Sequence, residues 1–220
     1  MAVTQLAFEL PFRPALGRDD LLVGDGNADA VAWLDRWPDW PGPALCLYGP
    51  PGCGKTHLAQ VWRRRSGAGL ATMDRLDAEG PDAVAAAGNL VVDPVEAGFD
   101  ERLLLHLYNL VAERKGFLLL TSAAPPKHWA IDLPDLRSRL LAAPAVGVGS
   151  PDDQLLAGLM AKLFKDRQMP VDEDVISYLL ARMERSFEAA RRAVIDLDTA
   201  ALSGRRRVTV PLARKLLEKS

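Results

Sequence analysis

Cysteine and histidine are scarce in this chain. Its 220 residues include two cysteines, Cys46 and Cys53, and three histidines, His57, His106 and His128. The cysteines form no C-x-x-C pair, so neither a disulfide framework nor a cysteine zinc site is implied. The histidines lack metal-ligand spacing. No apolar run approaches the ~18 residues of a membrane span, and the N-terminus lacks the basic-then-apolar order of a secretory signal. A cytoplasmic protein without membrane contact is the expectation. Net charge is also nearly absent, at −2, so bulk electrostatics give no case for nucleic-acid binding. The arginine triplets Arg63-Arg64-Arg65 and Arg205-Arg206-Arg207 read as solvated helix-end or loop residues, and the first suits a helix C-terminus. There is no internal repeat and no low-complexity segment.

What is present is more telling. Hydrophobic residues make up 49% of the chain, enough for a core in one domain plus a smaller one. The run Ala44-Leu45-Cys46-Leu47-Tyr48 leads into Gly49-Pro50-Pro51-Gly52-Cys53-Gly54-Lys55-Thr56. This is G-x-x-x-x-G-K-[ST] between a strand and a helix, the context that makes the pattern a phosphate-binding loop. Glycines let the backbone curl so that its N–H groups point at phosphate oxygens. Lys55 supplies positive charge to the outer phosphates, Thr56 offers a hydroxyl to Mg²⁺, and the following helix adds its positive end.

Further apolar runs at 89–93, 117–121 and 145–148 read as strands, with a weaker one at 70–73. Helices are predicted over 27–37, from the loop to about Arg65, and over 81–87, 100–115 and 134–141. Continuous apolar strands alternating with helices indicate a parallel sheet flanked by helices, an α/β core. In such sheets the ligand sits at the strand C-terminal ends, where Asp93 also falls as the expected Mg²⁺-side carboxylate, acting mostly through water. After residue 150 only helices follow. Ser150-Pro151-Asp152-Asp153 reads as an N-cap, a first-position proline and first-turn acids. Asp172 and Ser186 open the next helices, and a short terminal helix follows Thr209, giving a small all-helical domain.

The first 20 residues do not read as a packed element. Gln5-Leu6-Ala7-Phe8-Glu9-Leu10 is short, apolar and stopped by Pro11. Spacing alone fits two readings equally: a peptide that docks into another protein, or a strand lying on its own domain. Trp33, Trp37 and Trp40 read as core packing before base stacking.

The phosphate loop, Asp93, the segment Thr121-Ser122-Ala123-Ala124-Pro125-Pro126-Lys127 and the segment Leu133-Pro134-Asp135-Leu136-Arg137-Ser138-Arg139-Leu140 together resemble the AAA+ module of the replication initiator DnaA and its relatives. The resemblance runs from about Leu21 to Leu217 and implies a P-loop AAA+ core over 21–149 with a helical lid over 150–220. The DNA-binding domain that follows the lid in DnaA has no counterpart before Ser220, so no direct sequence-specific DNA binding is implied. Gln5, Leu6, Phe8 and Leu10 are similar to a sliding-clamp-binding motif. In combination these features resemble the Hda family, DnaA-homologous adaptors.

That resemblance implies a set of roles. ADP or ATP with Mg²⁺ would be held by Leu22, Val23, Pro51, Gly52, Cys53, Gly54, Lys55, Thr56, His57 and Arg191, with Thr56 and Asp93 on the metal. Arg139 would act in trans as an arginine finger on ATP bound to DnaA, with Arg137 the neighbouring candidate. The partners would be DnaA and the sliding clamp, residues 1–20 would form the tether, and head-to-tail pairing with a second copy is possible. Three positions depart from the pattern. Pro94 stands where many such ATPases carry a second acid, with Glu96 two residues further on. Ala123 replaces a polar γ-phosphate sensor. Glu188 stands where the lid arginine is expected, with Arg191 one turn further along the same face. These changes weaken ATP-specific chemistry and favour an ADP-binding adaptor that stimulates hydrolysis elsewhere. The alternative is an autonomous AAA+ ATPase related to DnaA or to helicase loaders.

Overall fold

A computed structural model describes residues 21–95, 99–204 and 207–217. Chain contacts divide them into two compact units. One is Gly26–Gly149 with Leu21; the other is Leu22–Asp25 with the described part of 150–217.

The first unit is built on a five-stranded sheet. Its strands are β1 (Ala44–Tyr48), β2 (Gly69–Leu70), β3 (Leu90–Val92), β4 (Leu118–Ser122) and β5 (Ala145–Gly147), in the order β2-β3-β4-β1-β5. Every pairing is parallel, as the continuous apolar runs require. β1 and β4 lie in the middle and are buried almost throughout. Ala44, Cys46, Leu118 and Leu120 share a core with Leu104, Leu107, Tyr108 and Val111 of α5 (Glu101–Glu113) and with Leu136 and Leu140 of α6 (Pro134–Ala142). The alternate positions Leu45, Leu47 and Leu119 are equally buried and face the other way. α2 (Lys55–Ser66) packs on β3 and β4 through Leu58, Ala59 and Trp62.

α1 (Ala28–Asp35) precedes β1. Trp40 stacks on Trp62 at 5.3 Å, and Trp37 meets Trp62 edge-on at 6.1 Å. Both Trp37 and Trp40 also pack edge-on against Phe117. Trp40 Nε1 donates to the Trp33 carbonyl at 2.8 Å. Trp37 and Trp40 are packing residues, as expected, while the half-buried Trp33 ring carries the Arg36 guanidinium 4.5 Å from its centre. Arg63, Arg64 and Arg65 occupy the last turn of α2, and Arg65 pairs with Asp35 at 3.3 Å.

Two local expectations are corrected. The weak strand over 70–73 ends at Leu70, because Thr72 accepts from the Arg75 N–H and starts the helix α3 (Met73–Glu79). α4 (Pro81–Val84) follows.

The second unit contains α7 (Asp153–Asp166), α8 (Glu173–Leu180), α9 (Phe187–Gly204) and α10 (Val210–Leu217) around Met160, Phe164, Ile176, Leu179, Val194 and Leu197. The cap of α7 is Asp152, which accepts from the Leu155 N–H at 2.6 Å, so Ser150 is not the cap and Pro151 lies outside the helix. A carboxylate also suits the positive helix end better than a hydroxyl does. Asp172 and Ser186 precede α8 and α9 as expected, and Ser186 Oγ accepts from the Ala189 N–H at 3.1 Å. Arg185 forks onto both Asp153 oxygens at 2.9 and 3.1 Å, tying α7 to the turn before α9. No helix among the described residues is long and apolar enough to cross a membrane.

Candidate nucleotide site and arginine helix

The loop Gly49–Gly54 leaves the C-terminal end of β1 and feeds directly into α2. Gly49 N donates to the Ser122 carbonyl at 3.2 Å, and Val148 N donates to the Tyr48 carbonyl at 2.7 Å. The loop therefore starts pinned to the ends of β4 and β5. A Cβ on Gly49 would lie 2.1 Å from the Val148 carbonyl oxygen, a close approach that only glycine allows. Gly54, at φ 100°, sits immediately before the helix in a left-handed conformation that disfavours other residues. Its carbonyl accepts from Leu58 N at 3.0 Å, so the first turn of α2 begins at the loop.

Lys55 Nζ donates to the carbonyls of Gly49 and Pro50 at 2.7 and 2.8 Å and lies 3.7 Å from Cys53 Sγ. Its charge is thus held over the loop by the loop's own backbone. Cys53 is buried within it, while Pro51 and Thr56 are exposed and His57 is half-buried.

Extending the β3–β4 register by one residue sets Asp93 beside Thr121. There Asp93 Oδ1 accepts from Thr121 Oγ1 and, at 3.2 Å, from Thr56 Oγ1. The two groups expected on Mg²⁺ are therefore in direct contact. Thr121 is fully buried and was not singled out from the sequence as a site residue. The available signal was that Asp93 and Thr121 both end apolar strands, which a parallel pairing brings level. A hydroxyl pair and one carboxylate make a hard oxygen donor set, and Mg²⁺ fits such a set with phosphate oxygens and water completing its shell. No cluster of three or more His, Cys, Asp or Glu side chains suited to a metal occurs among the described residues.

The departures keep their positions. Pro94 is exposed after Asp93, Ala123 is exposed after β4, and Glu96 lies outside the described residues. The clamp-type residues Gln5, Leu6, Phe8 and Leu10 also lie outside them. Leu22 and Val23 are half-buried and belong to the helical unit. Arg191 is exposed on α9, where Glu188 instead pairs with Arg192 at 2.9 Å.

On α6, Leu136 and Leu140 face the core, and Asp135 and Arg139 lie one turn apart on its flank. Arg139 Nε donates to Asp135 Oδ1 at 2.9 Å, and its guanidinium lies 5.3 Å from the Tyr108 ring centre. The hydrogen bond to Asp135 raises the Arg139 pKa above its already high value, and burial raises that of Tyr108. Arg137 is exposed and makes no ion pair among the described residues.

Residues 152–217 match the family model described as Hda, lid domain. Over the whole fold the chain is similar to domain III of the DnaA replication initiation protein of Thermotoga maritima, with a TM-score of 0.75 at 18% identity, covering 90% of this chain and 94% of that one. It is also similar to AMPPCP-bound DnaA from Aquifex aeolicus, with a TM-score of 0.67 at 18% identity, covering 84% of this chain and 65% of that one. The RuvB Holliday junction branch migration motor of Thermotoga maritima matches at a TM-score of 0.63 and 15% identity, over 80% of this chain and 61% of that one. The chain thus joins a helical unit that matches the Hda lid to a sheet unit with the AAA+ fold seen in DnaA.

Proposed function

We propose that this protein is a nucleotide-binding AAA+ adaptor that stimulates hydrolysis of ATP bound to DnaA and so limits re-initiation of replication. Residues 1–20 tether it to the sliding clamp, 21–149 form the nucleotide-binding core, and 150–220 form the lid. The match of residues 152–217 to the Hda lid carries this reading. The phosphate loop, Lys55 and the Thr56–Asp93 contact support nucleotide binding with Mg²⁺, as does the shared fold with AMPPCP-bound DnaA. Pro94 and Ala123 remove the groups that would orient water and sense a γ-phosphate, which favours ADP as a bound structural element.

The acting group toward DnaA is Arg139. A guanidinium brought to the γ-phosphate of a neighbouring subunit stabilises charge developing in the transition state, worth roughly 10³–10⁵ in rate. Its bond to Asp135 does not stand in the way. Both side chains are substantially exposed, and an exposed pair of this kind contributes at most about 1 kcal/mol. On the clamp, the Gln5 amide would hydrogen-bond a pocket rim while Leu6, Phe8 and Leu10 fill an apolar groove. Tethering raises the effective concentration near DNA, so modest contacts with DnaA suffice.

The test follows labelled ATP bound to DnaA, with DNA-loaded clamp and the ADP form of this protein. Wild type should speed conversion to ADP, and Arg139→Ala and Gln5→Ala should not. Unchanged conversion with wild type would reject the reading. The joined Thr56–Asp93–Thr121 cluster favours a second reading, an autonomous ATPase, for which the isolated protein would release phosphate steadily.

A further inference from the structure

We propose that Asp135 and Tyr108 are positioning residues that hold Arg139 as a preformed fork for a terminal phosphate on a partner protomer. This deepens the proposed function and rests on its assignment of Arg139.

The geometry divides the guanidinium into a held side and a free side. Asp135 takes only Nε, at 2.9 Å. The guanidinium carbon lies over the Tyr108 ring, 5.3 Å from its centre. The hydrogen bond to Asp135 comes from Nε, and the two terminal nitrogens donate no hydrogen bond among the described residues. Those are the nitrogens that grip phosphate oxygens in a bidentate contact.

The supports are themselves anchored. Tyr108 is only 8% exposed and belongs to the α5 core beside Leu104, Leu107 and Val111. Its hydroxyl forms no hydrogen bond among the described residues, so the ring is what acts on Arg139. Asp135 sits one helical turn before Arg139, on the flank adjoining the buried Leu136 and Leu140. A free arginine spreads over many rotamers, and ordering it during the reaction costs entropy. Here the ring and the carboxylate have already removed much of that freedom. Arg137, two residues earlier, is exposed and has neither support.

The experiment uses the full chain with DnaA carrying labelled ATP and titrates this protein to saturation. Asp135→Ala and Tyr108→Leu should each lower the maximal stimulated rate about threefold to fivefold, the limit set by supports as weak as an exposed ion pair or an exposed cation–π contact. The concentration giving half-maximal stimulation should stay within about twofold, since docking does not depend on a unique Arg139 rotamer. Asp135→Asn keeps an oxygen acceptor and Tyr108→Phe keeps the ring, so both should retain most of the rate. Asp135→Ala is a surface change and folds whether or not Tyr108→Leu does. Full maximal rates in Asp135→Ala and Tyr108→Leu beside an inactive Arg139→Ala overturn the positioning inference alone. A fully active Arg139→Ala overturns the reading beneath it as well.

Discussion

Gly49 offers a worked case of how the loop depends on backbone contact. A Cβ there would lie 2.1 Å from the Val148 carbonyl oxygen, where real Cβ contacts do not fall below 3.0 Å. The shortfall of about 0.9 Å cannot be absorbed by a side-chain rotation, because the obstacle is backbone. Val148 is itself held by its N–H to the Tyr48 carbonyl at 2.7 Å, and Gly49 by its N–H to Ser122 at 3.2 Å. Gly49→Ala must therefore push the loop away from β5 and loosen one of these bonds. Overpacking of this size costs about 1–3 kcal/mol, a fall in Tm of about 2–12 °C for a chain of this length. The displaced loop should also bind nucleotide at least tenfold more weakly, about 1.4 kcal/mol. Gly42→Ala is the control, since a Cβ there meets nothing within 4 Å and should change stability by less than about 0.5 kcal/mol. Thermal unfolding and calorimetric titration of ADP on both variants read the two effects. Gly49→Ala behaving like Gly42→Ala in both would refute the reasoning.

Other outcomes follow from the same geometry. Lys55→Ala should weaken ADP and ATP binding at least tenfold by titration; unaltered affinity would remove the phosphate-loop assignment. Thr121→Val deletes the donor that fixes the Asp93 carboxylate, so the Mg²⁺ concentration for half-maximal nucleotide binding should rise about tenfold. Affinity measured with a metal chelator should not move. Burial pushes the Cys46 thiol up to about 11 from 9.0, against a smaller lowering by its hydrogen bond with Ser122. The unfolded thiol ionises first as pH rises, so the stability linked to this group is fully present below about pH 9 and is lost as pH rises through 11. That loss is worth about 2–3 kcal/mol. The Tm of wild type should therefore drop more between pH 8 and pH 10.5 than that of Cys46→Ala, and parallel drops would contradict it.

Much of the nucleotide site was legible because its parts are local. A phosphate loop is one continuous segment, and β1, the loop and α2 follow one another as the spacing requires. Asp93 could be placed beside the loop because it ends an apolar run. The parallel sheet was readable from strands apolar on both faces, but the order β2-β3-β4-β1-β5 was not, since crossovers leave no periodic trace. Thr121 escaped notice as a partner of Asp93 because that contact depends on register between strands. Tyr108 escaped for a similar reason: its contact with Arg139 arises only when α5 packs on α6. The helix over 73–79 was missed because seven residues give too little periodicity, and Thr72 capping outweighs the apolar Leu70-Ala71. The cap of α7 was assigned one turn-start too early because Ser150 and Asp152 are both good caps, and Pro151 suits a first turn in either reading.

The central claim is that the chemistry this protein promotes takes place on DnaA. Its most direct test measures two rates side by side: single-turnover hydrolysis of ATP preloaded on DnaA, with and without this protein, and phosphate release by this protein alone with ATP. The expected result is a rise of roughly 10³-fold or more in the first when wild type is added with clamp and DNA, no rise with Arg139→Ala, and background release in the second. Brisk release by the isolated protein, with the DnaA-bound ATP unaffected, would contradict the account and identify a motor in its own right.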